Sequence, residues 1–161
     1  MPMYNNVEID FVERTFENLN YIEQFHFDKR KLFEVTFFLN HCYGLLIIPQ
    51  SKIKKVVEKM PQDLSYYGIY KENVVTTQGQ DFANVIRSIR NGLSHGHIEF
   101  LSENTGNTDN PITHIIIKDK KYNEKEPHTK ITLTVEEFEE FVKRFAKEYL
   151  KVKERMSRRI V

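Results

Sequence analysis

The chain has 161 residues, of which 40% are hydrophobic and 29% charged, and a formal net charge of +1. That is enough apolar material for one core and too much for a disordered chain, and the near-balanced charge gives no global pull toward nucleic acid. The single cysteine, Cys42, sits in an apolar run and reads as a small buried hydrophobe; disulfide scaffolds and cysteine-based zinc centres are excluded.

Residues 7–26 carry Phe11, Val12, Phe16, Leu19, Ile22 and Phe25 at helical spacing, with acids on the opposite face. Residues 29–48 are apolar on almost every side and predict the most buried helix, ended by Pro49. The stretch 51–60 predicts a short basic helix with Lys52, Lys54, Lys55 and Lys59 exposed. Residues 61–78 mix Pro, Gly, Asp and Tyr without a period, as a lid or dimer loop would. A third strong helix spans 80–93, where Phe82, Val85, Ile86, Ile89 and Leu93 form one stripe.

The pattern then changes. Ile98-Glu99-Phe100-Leu101 is strand-like, 104–111 is dense in turn formers, and 112–118 is β-branched. Lys130 to Val135 alternates cleanly. Thr134-Val135-Glu136-Glu137 is a capping box opening a long final helix. The reading is a single domain over 1–161 of mainly α class. It is a helical bundle with a small three-stranded antiparallel sheet inserted at about 97–134, before a C-terminal helix over 135–157.

The chemistry-bearing stretch is Ile89-Arg90-Asn91-Gly92-Leu93-Ser94-His95-Gly96-His97. Arg90 is a permanent cation with a planar fork of donors suited to phosphate. His95 moves protons near neutral pH. Together they suffice to cleave RNA without a metal. On a straight helix, residues five apart differ by about 140°. Arg90 and His95 therefore serve one phosphate only if the helix ends or bends at Gly92, or if they act from two subunits. The bland reading is that Asn91-Gly92 is a helix stop with a histidine favoured by the negative end of the dipole.

Arg90-x4-His95, with Asn91 directly after the arginine, resembles the signature of the HEPN superfamily (higher eukaryotes and prokaryotes nucleotide-binding domain). Gly44-Leu45-Leu46-Ile47-Ile48-Pro49 and Arg90-Asn91-Gly92-x-x-His95 are similar to a plasmid-borne HEPN subgroup. The resemblance implies a HEPN-like helical bundle acting as a metal-independent endoribonuclease. Its products would be a 2′,3′-cyclic phosphate and a 5′-OH. It further implies a homodimer with paired motifs, RNA as substrate, and a toxin or phage-defence setting with an antitoxin as a partner. Arg90, His95 and Asn91 are the expected catalytic residues, and Ser94 and His97 the expected substrate contacts. Silenced HEPN toxins often carry Tyr two residues after the motif histidine. His97 stands there in this chain, which argues against control by modification of that tyrosine.

Two other classes stay open. His95, His97 and Glu99 would share a face if 95–99 were extended, as a three-ligand metal set. The domain would alternatively bind nucleotide or RNA, or another protein, without cutting, as non-catalytic HEPN members do. No metal or other cofactor is expected. Met1-Pro2-Met3-Tyr4 leads into acidic residues rather than a signal peptide, and the 32–48 run is short and polar for a membrane span. A cytoplasmic protein away from the membrane is expected. The basic stretch Lys143 to Arg159 is expected to line a phosphate channel or to meet an acidic neighbour. The apolar drive for dimerisation is expected from 29–60 and 80–93.

Overall fold

A computed structural model describes residues 7–24, 39–47, 53–102, 112–121 and 123–158. The chain divides into two compact units, residues 1–61 with 142–161, and residues 62–141. The predicted turn cluster at 104–111, Pro49, and the first part of the predicted 29–48 helix lie outside the described residues.

The first unit is helical. It holds α1 (Val7–Gln24), α2 (the π-helical Tyr43–Ile47, entered through helical residues 39–42), α3 (Ile53–Val57), and the greater part of α5 (Val135–Ser157). Its interior includes Val12, Cys42, Leu45, Leu46, Val56, Phe145, Tyr149 and Val152. Burial pushes the Cys42 thiol well above its ordinary range, so it packs as an inert group, as its apolar surroundings predict. Toward the basic end of α5, Lys151 pairs with Glu148, and Arg158, just past the helix, pairs with Glu154, so part of this stretch is neutralised locally. No helix among the described residues is long and apolar enough to cross a membrane.

The second unit packs a helix on a sheet. Strands β1 (Val74–Thr76), β2 (Ile98–Ser102), β3 (Ile112–Asp119) and β4 (Thr129–Thr134) form a four-stranded antiparallel sheet in the order β1-β4-β3-β2. The expectation of three strands inserted before the last helix is therefore corrected. The fourth strand precedes the motif helix and pairs with β4 through Val74↔Ile131. It comes from the stretch expected to be irregular. Three residues are too few to show a period, although Val74-Val75-Thr76 is β-branched. Part of the same stretch belongs to the core. Tyr67 and Ile69 are 0% exposed, and Tyr67 stacks on Phe82 at 4.7 Å between ring centroids.

Helix α4 (Phe82–Ser94) starts on Asp81, whose carboxylate accepts from the Asn84 backbone N–H at 3.0 Å. Its stripe Phe82, Val85, Ile86, Ile89 and Leu93 is buried within the chain, so this helix offers no spare apolar face to a second copy. The capping box at α5 forms as predicted: the Glu137 N–H donates to Thr134 Oγ1 (3.1 Å) and Glu137 Oε2 accepts from the Thr134 N–H (2.8 Å).

Gly92 does not stop α4. It lies buried inside the helix, and a Cβ there would fall 2.4 Å from Ile117 Cγ2 and 3.0 Å from the Lys118 carbonyl oxygen. Its missing side chain lets α4 approach β3. The stop comes later. His95 is the C-terminal cap, and Gly96 takes the left-handed conformation at φ 67° that turns the chain. Gly92→Ala gains helix propensity but drives a methyl into β3. We expect it to lower stability by about 1–3 kcal/mol, roughly 2–10 °C in Tm by thermal denaturation. An unchanged or raised Tm would show that β3 yields at no cost.

Candidate functional site

On α4, residues four apart lie about 40° from each other around the axis. Arg87, Asn91 and His95 therefore form one row down the helix. This row, with His97, faces a cleft of about 700 Å³ completed by Gln78, Asp119, Lys120, Lys121 and His128. Every lining residue belongs to the unit 62–141.

The motif residues separate in space. Asn91, His95 and His97 line the cleft; Arg90 and Ser94 do not. Because α4 continues through Gly92, the separation of about 140° between Arg90 and His95 is retained. Convergence through a break at Gly92 is thus overturned. Arg90 is half-buried, and its Nε is buried without a hydrogen-bond partner. A buried N–H in that state is costly, and because it is enclosed by the chain it does not itself face a ligand. Ser94 is exposed on the same side of the helix, one turn on.

His97 is fixed by its backbone. Its N–H donates to the Gly92 carbonyl and its carbonyl accepts from the Lys118 N–H, both at 2.9 Å. Its ring lies 5.8 Å from that of His95, and its Nδ1 is buried without a partner. The metal set His95-His97-Glu99 is not assembled. It needed extended backbone from 95, whereas His95 has φ −98° and ψ 3° and Gly96 is left-handed. Glu99 instead pairs with Lys118. That hydrogen bond, with the charges of Lys118, Lys130 and Lys120, holds its carboxyl below the usual range. Among the described residues, no group of three His, Cys, Asp or Glu side chains is placed to hold a metal ion.

The floor of the cleft is organised by Asp119, which is 5% exposed. Its Oδ2 accepts from Asn91 Nδ2–H at 3.2 Å and meets His128 Nε2 at 3.1 Å. His128 Nδ1 meets Glu124 Oε2 at 3.2 Å. A buried carboxylate is costly unless its oxygens are engaged, and these partners engage it. Arg87 donates from Nη2 to Gln78 Oε1 at 2.9 Å, which leaves other guanidinium N–H groups for a ligand.

Arg87, Lys120 and Lys121 bring three positive charges, against the internally bonded carboxylate of Asp119 in the lining and that of Glu124 beside Lys121 and His128. Imidazoles of His95, His97 and His128 share the space. Such a cleft can hold an anion and move a proton. Sequence reasoning missed Gln78, Arg87, Asp119, Lys120, Lys121 and His128. Arg87 was within reach, because it stands four residues before Asn91 on the same face.

Glu124 ties down the connection between β3 and β4. Its carboxylate accepts from the Lys121 N–H at 3.1 Å as well as contacting His128. The Lys121 N–H first, then His128, lowers its pKa from the ordinary value. A carboxyl whose pKa falls on folding contributes stability above its unfolded value, about 4.3. That contribution is lost as pH falls through the lowered value. In a ¹³C NMR titration we expect Glu124 to titrate below the ordinary glutamate range, and His128→Ala to move it upward. No movement would remove His128 from the causes.

The family model described as HEPN pEK499 p136 matches residues 1–155. No curated protein and no solved structure matches the chain. The chain is mainly α-helical with a small antiparallel sheet and a long C-terminal helix, and it belongs to the HEPN pEK499 p136 family.

Proposed function

We propose that the chain is a metal-independent endoribonuclease of HEPN type. The observation that carries this reading is the presence of His95 and Asn91, both motif residues, in one cationic cleft with Arg87, Lys120 and Lys121. The cleft combines anion binding with a group able to transfer protons, the two requirements of phosphodiester cleavage through the ribose 2′-OH.

A neutral imidazole accepts the 2′-OH proton as that oxygen attacks phosphorus. An imidazolium donates a proton to the departing 5′-oxygen as the P–O5′ bond breaks. The products are a 2′,3′-cyclic phosphate and a 5′-OH. His95 takes one of these roles, and His95 of a second copy takes the other. Arg90 stabilises charge at phosphorus, and Asn91, held by Asp119, orients the reacting groups.

The row geometry supports a homodimer. Arg90 is half-buried and lies outside its own chain's cleft, so its guanidinium would serve the second copy's phosphate. Phe100 and Leu101, exposed on edge strand β2 just after His97, supply apolar surface for such pairing. HEPN membership supports a toxin or phage-defence setting, with an antitoxin as a controlling partner. The same position of Arg90 favours one second reading, a HEPN module that binds nucleotide or RNA without cutting.

Incubation of pure protein with RNA in EDTA distinguishes these readings. We expect cleavage that leaves 2′,3′-cyclic phosphate ends. Loss of cleavage in EDTA, or 5′-phosphate ends, would contradict the ribonuclease reading, and no cleavage of diverse RNAs would favour the binding module. His95→Ala should reduce the rate by roughly 10²–10⁴-fold. Arg90→Ala should remove about 3 kcal/mol of transition-state stabilisation.

The dimer is tested separately, by light scattering together with activity across dilution. A monomer that remains fully active at assay concentration would rule out the shared site.

A further inference from the structure

The recognised motif supplies one arginine, and that arginine is not in the cleft. Arg87 is. It stands two turns before His95 on the row that passes through Asn91, about 12 Å along the helix axis at 1.5 Å per residue. Across from the row, Lys120 and Lys121 follow Asp119 directly, where β3 gives way to its connection with β4.

We propose that Arg87, Lys120 and Lys121 hold the phosphates of a single-stranded RNA on either side of the bond that His95 addresses. This inference rests on the reading that the cleft takes RNA.

Three features carry it. The first is the orientation of Arg87: one donor is given to Gln78 Oε1, which turns the guanidinium along the cleft wall, and the others remain for a phosphate in a planar fork. The second is the anchoring of the lysines. Asp119, beside them, is bonded to Asn91 on α4 and to His128, and the Lys121 N–H is held by Glu124. The backbone bearing both ammonium groups is thus fixed; Lys121 is exposed, and its ammonium lies 3.8 Å from Glu124 Oε1 in a solvent-screened pair weak enough for a phosphate to displace. The third is charge. Asp119 has its Oδ2 engaged by two partners, so the carboxylate in the cleft is committed internally. The cleft, at about 700 Å³, lies within the 300–1,000 Å³ common for ligand sites, room for a few nucleotide units rather than a lone phosphate ion.

The test uses a fluorescent 2′-O-methyl RNA oligonucleotide, which keeps the phosphates but offers no attacking hydroxyl. Its binding to the full chain is followed by anisotropy over a series of salt concentrations. Arg87→Ala, Lys120→Ala and Lys121→Ala are expected to weaken binding by roughly three- to thirty-fold each. Each should also reduce the slope of log K against log salt by about 0.7. Lys54→Ala, an exposed lysine of α3, is the control and should change neither. Arg87 is exposed, so its variant should fold, and a thermal melt checks this. Arg87→Ala with wild-type affinity and slope, or a wild-type chain that does not bind the probe, would overturn the inference. Cleavage of the 2′-hydroxyl RNA is scored in parallel. Arg87-dependent binding without any cleavage retains the phosphate site and removes the ribonuclease reading. Cleavage unaltered by Arg87→Ala, with binding also unaltered, does the reverse.

Discussion

The close approach of α4 to β3 at Gly92 is the constraint on which the cleft depends. A side chain at this position would meet Ile117 and the Lys118 backbone, so the helix sits where only a glycine allows. The chain then turns at Gly96 and comes back to the same place, because the His97 carbonyl accepts from the Lys118 N–H. The motif is therefore held to two adjacent β3 residues from both sides of its turn. The next β3 residue is Asp119, which receives the Asn91 amide. Spacing in α4, the turn and the strand thus combine to fix Asn91, His95 and His97 on one wall. None of these side chains would keep its place if the helix withdrew by the width of a methyl group.

Charge is distributed around that frame in a consistent way. Asp119 is nearly enclosed, and an enclosed carboxylate without partners would be strongly unfavourable. Its partners are Asn91 from the helix and His128, the residue just before β4, so the group that requires satisfaction also joins the two walls. The cations Arg87, Lys120 and Lys121 stand further toward solvent, where an ammonium or guanidinium stays hydrated until a ligand arrives. Fixed polar contacts in the floor and hydrated cations at the mouth suit a site whose ligand is a flexible, highly charged strand.

Much of this was legible in the chain itself. Periodicity located α4 and α5; a short strand-like stretch, a β-branched run and a clean alternation located β2, β3 and β4 in turn; and the capping box located the start of α5. What escaped was tertiary. Gly92 carries the same letter whether it ends a helix or admits a strand; only the position of Ile117 decides between them. Strand β1 was too short to signal itself and is defined by its pairing with β4. Asp119 and His128 meet because the antiparallel register sets Asp119 opposite Thr129, and no local pattern encodes a register. Among the cleft residues, Arg87 had a readable signal, the four-residue step to Asn91, but the motif directed attention to Arg90.

The two arginines of α4 show what the helix geometry demands. Arg87 and Arg90 differ by about 60° around the axis. That small angle puts one inside the cleft's lining and the other outside it. A straight helix cannot turn Arg90 toward His95, and α4 has no break before its cap at His95. If the chain is the nuclease proposed, binding and charge stabilisation at phosphorus would fall to different arginines, the first complete within one chain and the second requiring another copy. A lone chain would then hold RNA through Arg87 and the paired lysines yet lack the guanidinium that completes the reaction. Affinity and turnover would respond differently to dilution, affinity following the chain and turnover following the dimer. This separation would let a nuclease whose activity harms its own cell stay silent at low concentration, without any change in its ability to find RNA.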